Sequence, residues 1–324
     1  MPLNLDEVYC FPRGRRGQGV ALRRSKRSTI ASWRIPSFQY ADRIPGFDAV
    51  QLHALTERGT MMNDHSLAFL KRLLAMPGPS GDEVAIGRIW QREAETFADQ
   101  VYANVCGSSY AVLEGRAPRV LLAGHIDEIG VMVSAIDDDG FLSFSPIGGW
   151  DPQVLVGQRV RLAGRTGDVI GVIGKKPIHQ MKPDEREKAS KIEDLWIDIG
   201  VASRAEAGEL VRVGATGVID APIYDLPGGK IVSRSIDDRI GTFTVLEALR
   251  LPERDRPRAT VAAVATSQEE ITFADAHTAA FSFEPQVAIA VDVTFATESS
   301  ERRPLAIWQC AAWRRTGAVA QFCQ

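Results

Sequence analysis

The chain has 324 residues, 45% hydrophobic and 24% charged, apolar enough to bury a full core and too apolar to be disordered throughout. Its net charge of −3 is uneven: residues 1–60 hold ten Lys/Arg against five Asp/Glu and residues 301–324 four against one, so the middle is acidic and lacks the clustered basic surface that nucleic acid requires. No apolar run approaches the roughly 20 residues of a bilayer span and none near Met1 reads as a secretory signal, so a soluble cytoplasmic protein without nucleic-acid or membrane partners is expected.

Residues 1–61, including FPRGRRGQGVALRRSKRS, show no apolar periodicity and read as a disordered basic tail. A basic arm, an Arg- and Ser-rich targeting segment and translation upstream of the true start all fit. The last is favoured, because Met61-Met62 is followed at once by a helix signal. There Asn63 or Asp64 can cap a helix with Leu67, Leu70, Leu73 and Leu74 on one face, ended by Pro77. Ser80-Gly81-Asp82-Glu83 has the spacing of a capping box opening a second helix to about Phe97. Strands are expected at about 109–114, 119–124 and 129–136.

From FLSFSPIGGWDPQVLVGQRVRL to ELVRVGATGVID the texture changes to short, Val- and Ile-rich runs punctuated by glycine, the pattern of a small β-barrel or sandwich. The charged stretch KPDEREKASKIEDLWIDIG reads as a helical interlude. From about 232 an α/β pattern resumes, with a helix at 239–250 and strands at 259–265 and 287–293. The layout is an α/β domain over 62–130 and 221–300, split by an inserted β domain at 131–220. The four cysteines, Cys10, Cys106, Cys310 and Cys323, have no CxxC spacing, which argues against a thiolate zinc site and a disulfide framework.

Polar clusters interrupt these apolar runs. VLLAGHIDEIGVMV places His125, Asp127 and Glu128 where a strand ends; SRSIDDRIG places Asp237 and Asp238 before a helix; QEEI puts Glu269 and Glu270 after a strand; VAIAVDVT sets Asp292 in an otherwise apolar strand. Taken singly, each has a structural explanation: a hydrogen-bonded His–Asp pair, an N-cap, a solvated strand end. Asp292 is the least comfortable, because an unpaired buried charge needs a cation or a tight hydrogen-bond set. Together, one imidazole and several carboxylates at strand ends and one helix start fit a site for two divalent ions bridged by a carboxylate.

The motifs GPSGDE, AGHIDEIGVMV, GGWDPQVLVGQRV, GVIGKKPIH, KIEDLWIDIG, SRSIDDRIG, QEEI and VDVT, in this order and spacing, resemble the glutamyl or deblocking aminopeptidases. That family forms tetrahedral (TET-type) particles and was formerly also labelled cellulase or endoglucanase. The likeness spans Met62 to about Thr297. It implies a three-layer αβα zinc-peptidase-like domain split by an inserted barrel-like dimerisation domain, assembly from dimer to dodecamer, and peptide substrates. It also implies two divalent ions (Zn, Co or Mn), with His125, Asp237, Glu270 and Asp292 as metal ligands and Asp237 bridging. Glu269 would be the general base, Asp127 the carboxylate orienting His125, and the Asp237-Asp238 peptide cis.

Departures from the family pattern are concentrated late in the chain. The family has a further histidine after Asp292, whereas the five here are His53, His65, His125, His179 and His277. Phe295 and Thr272 stand where the family carries histidine and glycine. Residues 301–324 crowd two Trp, two Cys and four Arg without a period and read as an aberrant tail. The expectation is a C-terminally truncated or frame-shifted copy with one metal site incomplete. The alternative to an active aminopeptidase is an inactive homologue that binds at most one metal or co-assembles with complete subunits. Glycan cleavage by two carboxylates explains neither His125 nor an acidic bridge.

Overall fold

The computed structural model describes residues 62–227, 229–251 and 256–293. The expected tails at 1–61 and 301–324 lie outside the described residues. Helix α1 (Asp64–Ala75) starts as the sequence suggests, with the Asn63 side chain accepting the Ser66 amide at 2.8 Å. It buries Phe69, Leu70, Leu73 and Leu74 and gives way to extended backbone at Met76, the conformation that a following proline imposes.

Helix α2 (Val84–Ala94) forms without the expected capping box. Glu83 occupies the cap position, but its side chain makes no capping bond. The Ser80 hydroxyl donates to Asp127 instead, and Glu83 accepts the amides of Gly81 and Gln268. Both side chains are drawn to distant partners that sequence spacing does not reveal.

Five strands form one sheet in the order β1-β2-β12-β3-β13: β1 (Gln100–Ala103), β2 (Ser109–Leu113), β3 (Arg116–His125), β12 (Ala259–Thr266) and β13 (Val287–Ala290). β3, β12 and β13 run parallel, and β2 runs antiparallel to β12 and to β1. Every residue of β2 is buried, as a strand covered on both faces requires. Ala111, Leu113, Ala263 and Ala265 pack against Phe69, Trp90 and Phe243 from α1, α2 and α3 (Ile236–Arg250). Tyr110, Val112, Ala262 and Val264, alternating with them, pack against Ala279 and Phe283 of α4 (Ala274–Phe283). Helices on both sides of a largely parallel sheet make this a three-layer α/β fold.

Between β3 and α3 the chain closes a six-stranded barrel, ordered β4 (Gly130–Ile136), β5 (Leu142–Ile147), β8 (Leu195–Asp198), β7 (Asp168–Lys175), β6 (Arg159–Ala163) and β9 (Thr216–Ile219), with β9 returning to β4. Val131, Val133, Leu142, Val160, Leu162 and Ile197 fill it. The charged stretch 182–200 is not one helix. Only Pro183–Arg186 is α-helical, and Leu195–Asp198 is a barrel strand, because Leu195 and Ile197 alternate inward with Trp196 and Asp198 on the other side. A short hairpin of β10 (Tyr224–Leu226) and β11 (Lys230–Val232) leads back to α3.

Helix α3 lies directly on β3. A Cβ at Gly124 would sit 2.6 Å from Gly241 C and Thr242 N, and Thr242 Oγ1 donates to the Gly124 carbonyl at 2.9 Å. The fully buried Arg239 side chain donates to the carbonyls of Ile126, Leu73 and Met76 and to Glu128. These contacts set the distance between His125 at the end of β3 and Asp237 at the start of α3. Gly124→Ala forces two backbones apart, and the expected outcome is a loss of about 1–3 kcal/mol, read as a lower denaturant midpoint with an unchanged slope.

Candidate metal centre

The site forms at the carboxyl ends of three parallel strands. Thr266 of β12 lies beside His125 of β3, so the residues that follow each strand emerge on the same edge of the sheet. β13 runs alongside β3 and Asp292 follows two residues beyond it. The fourth contribution is the first turn of α3, where Asp237 and Asp238 have non-helical backbone angles and their peptide bond is cis.

His125 is buried and held between acids. Its Nε2 lies 3.2 Å from Asp237 Oδ1 and 3.7 Å from Glu269 Oε2, and its Nδ1 lies 3.4 Å from Asp127 Oδ1. The last contact is too long for a well-formed hydrogen bond, and Nδ1 has no hydrogen-bond partner. It is an electrostatic contact that orients the ring. Burial alone disfavours the charged imidazole, but Asp127 and Asp237, with Asp238 nearby, outweigh it and hold its pKa well above the ordinary value.

Two donor groups converge here. One ligand atom each from His125, Asp237 and Asp292 lie within 4.8 Å of one another, and so do those from His125, Glu269 and Glu270. Every sequence-derived ligand candidate is thus brought together with Glu269. Glu128 is not. It turns away and pairs with Arg234 and Arg239, while Asp292 lies past the strand end and is exposed. Burial in a strand therefore does not force a cation onto Asp292, which is instead drawn into the site by its proximity to Asp237 and His125.

Among the described residues no Lys or Arg pairs with Asp237, Glu269, Glu270 or Asp292. The carboxyl groups answer in their acidities. Burial pushes Asp238 up to about 8 and Glu270 up to about 7, with neighbouring carboxylates adding to both, and raises Glu269 as well. Asp238 Oδ2 is buried without a partner. A crowd of oxygen donors with one imidazole and no other cation in reach fits a hard or borderline divalent ion. His125, Asp237 and Asp292 could hold such an ion, and so could His125, Glu269 and Glu270. Around Glu270 no second imidazole stands among the described residues: His65 pairs with Glu93, and His179 and His277 are exposed.

Known proteins share this architecture. The M42 glutamyl aminopeptidase family model matches residues 107–306. The chain belongs to that family. It is 34% identical over 237 residues to the lysyl aminopeptidase of Pyrococcus furiosus, covering 72% of this chain and 68% of that protein. Among solved structures it is similar to a TET aminopeptidase from a marine sediment archaeon of the Thaumarchaeota, with a TM-score of 0.70, 38% identity and coverage of 74% and 69% of the two chains. It is also similar to the TET1 peptidase of Pyrococcus horikoshii, which can assemble into a tetrahedron or a large octahedral shell, with a TM-score of 0.65, 32% identity and coverage of 70% and 68%. Membership in M42 makes the chain a homologue of peptide-bond hydrolases with a mixed α/β fold. Among the described residues no helix is long and apolar enough to cross a membrane.

The M42 chain also carries supports that sequence reasoning missed. In the sequence Ser80 and Glu83 read only as helix punctuation. Asp275 in α4 is buried and accepts hydrogen bonds from Ser108, Ser267, Thr278 and Asn104, anchoring the end of β12. No local signal marks it, because its partners lie up to 171 residues away.

Asp127, whose pKa is lowered, gains stability only as pH rises through the acid range; above about pH 5 the linkage of the remaining groups of the cluster has one sign. In the unfolded chain the carboxyls ionise near pH 4, whereas Glu83 (about 6), Glu270 (about 7) and Asp238 (about 8) keep their protons longer when folded. His125, with a raised pKa, contributes stability below about pH 6.5 that is lost as pH rises through its folded value. With chelator present, the melting temperature is therefore expected to fall as pH rises from about 5.5 to 8; a rise over that range would contradict the crowding of desolvated acids.

Proposed function

We propose that this protein is a cytoplasmic, metal-dependent aminopeptidase that removes N-terminal residues from peptides, using a water activated by two divalent ions (Zn, Co or Mn). What supports the reading is the convergence of His125, Asp237, Glu269, Glu270 and Asp292 at one sheet edge in a chain of the M42 family. His125 stands in both donor groups but has one nitrogen facing them. We assign it with Asp237 and Asp292 to the first ion; Glu270, together with Asp237 as the shared carboxylate, would hold the second.

When bound, the ions would lower the pKa of a shared water toward neutrality and polarise the scissile carbonyl. Glu269, partly exposed at the site and with its acidity weakened by burial, would serve as the general base, accepting a proton from the attacking water and returning it to the leaving amine. Asp127 holds the imidazole ring in place through Nδ1. The barrel over 131–220 is read as an inserted dimerisation domain between two parts of a catalytic domain at 62–130 and 221–300. Homo-oligomeric assembly, up to a dodecamer, is supported by the tetrahedral or octahedral shells of the Pyrococcus horikoshii relative and by the dodecamer of the similar PhTET1-12s.

With Zn²⁺ or Co²⁺ added, the purified chain is expected to release p-nitroaniline from amino-acid p-nitroanilides, and chelator should abolish turnover. Glu269→Gln should lower kcat by about 10²- to 10⁴-fold while metal still binds, as measured by metal content. A folded, metal-loaded protein that turns over no amino-acid p-nitroanilide would instead establish the inactive homologue.

A further inference from the structure

Three consecutive backbone amides precede or belong to the two glutamates of the site, and all three point at carboxylates. Gln268 N donates to Glu83 Oε1 at 3.0 Å, Glu269 N to Asp127 Oδ1 at 3.1 Å and Glu270 N to Asp127 Oδ2 at 3.1 Å. Gln268 has φ of +58°, a left-handed conformation uncommon for a residue with a side chain. Successive amides arranged around such a residue form a concavity that suits an anion. Here the chain's own Glu83 and Asp127 supply it.

Glu83 has no other evident task. It is 4% exposed, and although it sits at the cap position of α2 it does not cap that helix. The same Oε1 that accepts Gln268 accepts Gly81 N at 2.8 Å. A carboxylate buried this far carries a desolvation cost, and what it holds is the residue immediately before Glu269. Its frame is stiff. Ser80 N donates to the Glu128 carbonyl at 3.1 Å, Ser80 Oγ donates to Asp127, and Thr216 Oγ1 of β9 donates to Asp82 at 2.6 Å. The loop 78–83 is thereby tied to the sheet, the barrel and the glutamate turn at once.

We propose that Glu83 is a positioning residue of the active site: acting with Asp127, it fixes the Gln268 amide and so aims the Glu269 and Glu270 carboxylates toward His125. The inference rests on the aminopeptidase reading for its kinetic consequence, but the brace itself is testable without turnover. One backbone rotation at Gln268 swings both glutamates, and a displacement of about 1 Å at a reacting group can cost about 100-fold in rate.

The experiment uses the full chain with Glu83→Ala, Glu83→Gln and Glu83→Asp. Gln keeps the accepting Oε1 without charge; Asp keeps the charge but is one methylene short. Hydrogen exchange by mass spectrometry on the peptide covering 266–272 should show faster exchange in Glu83→Ala and Glu83→Asp and near wild-type protection in Glu83→Gln. Per folded, metal-loaded molecule, kcat should fall about 10- to 100-fold in the Ala and Asp variants, with KM and metal content within about twofold, and Glu83→Gln should recover most of it. Exchange at 266–272 unchanged in Glu83→Ala, or equal loss in Glu83→Gln, overturns the brace. If Glu83→Ala does not fold, the Asp and Gln pair decides by the same contrast. Absent wild-type turnover removes the aminopeptidase reading, and the exchange data still decide the brace.

Discussion

Asp127 is completely buried, and each of its oxygens is committed. Oδ1 faces His125 Nδ1 and accepts the Glu269 amide; Oδ2 accepts the Ser80 hydroxyl and the Glu270 amide. One carboxylate therefore references the ring that emerges from β3 and the turn that follows β12 to the same point. These hydrogen bonds and the nearby imidazole favour its charged form, and its pKa stays below the ordinary range although burial alone would raise it. A neutral Asp127 would lose acceptor capacity toward two backbone amides, so the site geometry depends on this charge staying in place.

Around that fixed point the charges are sorted. Glu128, next in sequence, belongs to a separate buried pair with Arg239 and Arg234, and Arg239 also caps carbonyls at the end of α1. The guanidinium groups are thus spent on holding α1, α3 and the β3 end together. They do not neutralise Asp237, Glu269, Glu270 or Asp292. Had either arginine reached that cluster, the cluster would be a salt-bridge network with no room for a metal. Glu128 and Asp127, though adjacent in sequence, take different partners, and the acidic cluster is left short of positive charge.

The sequence exposes this organisation unevenly. Apolar periodicity locates α1 and the barrel strands because each buries a definite face, continuous apolar runs locate the central sheet strands β2, β3 and β12, and the acidic clusters are visible because carboxylates after apolar strands have few structural uses. Boundaries that depend on distant partners are another matter. Ser80 and Glu83 have the spacing of a capping box, yet the local bond loses to Asp127 and to the Gln268 amide, 185 residues away. Leu195–Asp198 was obscured by the charged residues before it, since a two-residue inward alternation is too short to outweigh them. Composition places Asp292 inside its strand, whereas the strand ends at Ala290. In each case tertiary partners decide between options that local chemistry leaves nearly equal.

The barrel is part of the site. Gly148, at φ of +76° after β5, passes so close that a Cβ there would meet Ile129 Cγ2 at 2.5 Å and Glu270 Oε2 at 3.3 Å. Trp150 Nε1 donates to the Gly130 carbonyl at 2.8 Å, and a Cβ at Gly130 would lie 2.7 Å from Pro79 Cβ. The barrel, the 78–83 loop and the Glu270 carboxylate therefore meet over a few ångströms where β3 passes into β4. A side chain at Gly148 would press on the carboxylate directly, and any tilt of the barrel would move both Gly148 and the Thr216–Asp82 bond. The geometry of the acidic cluster is for this reason a property of how the barrel seats on the sheet, as much as of the residues that carry the charge.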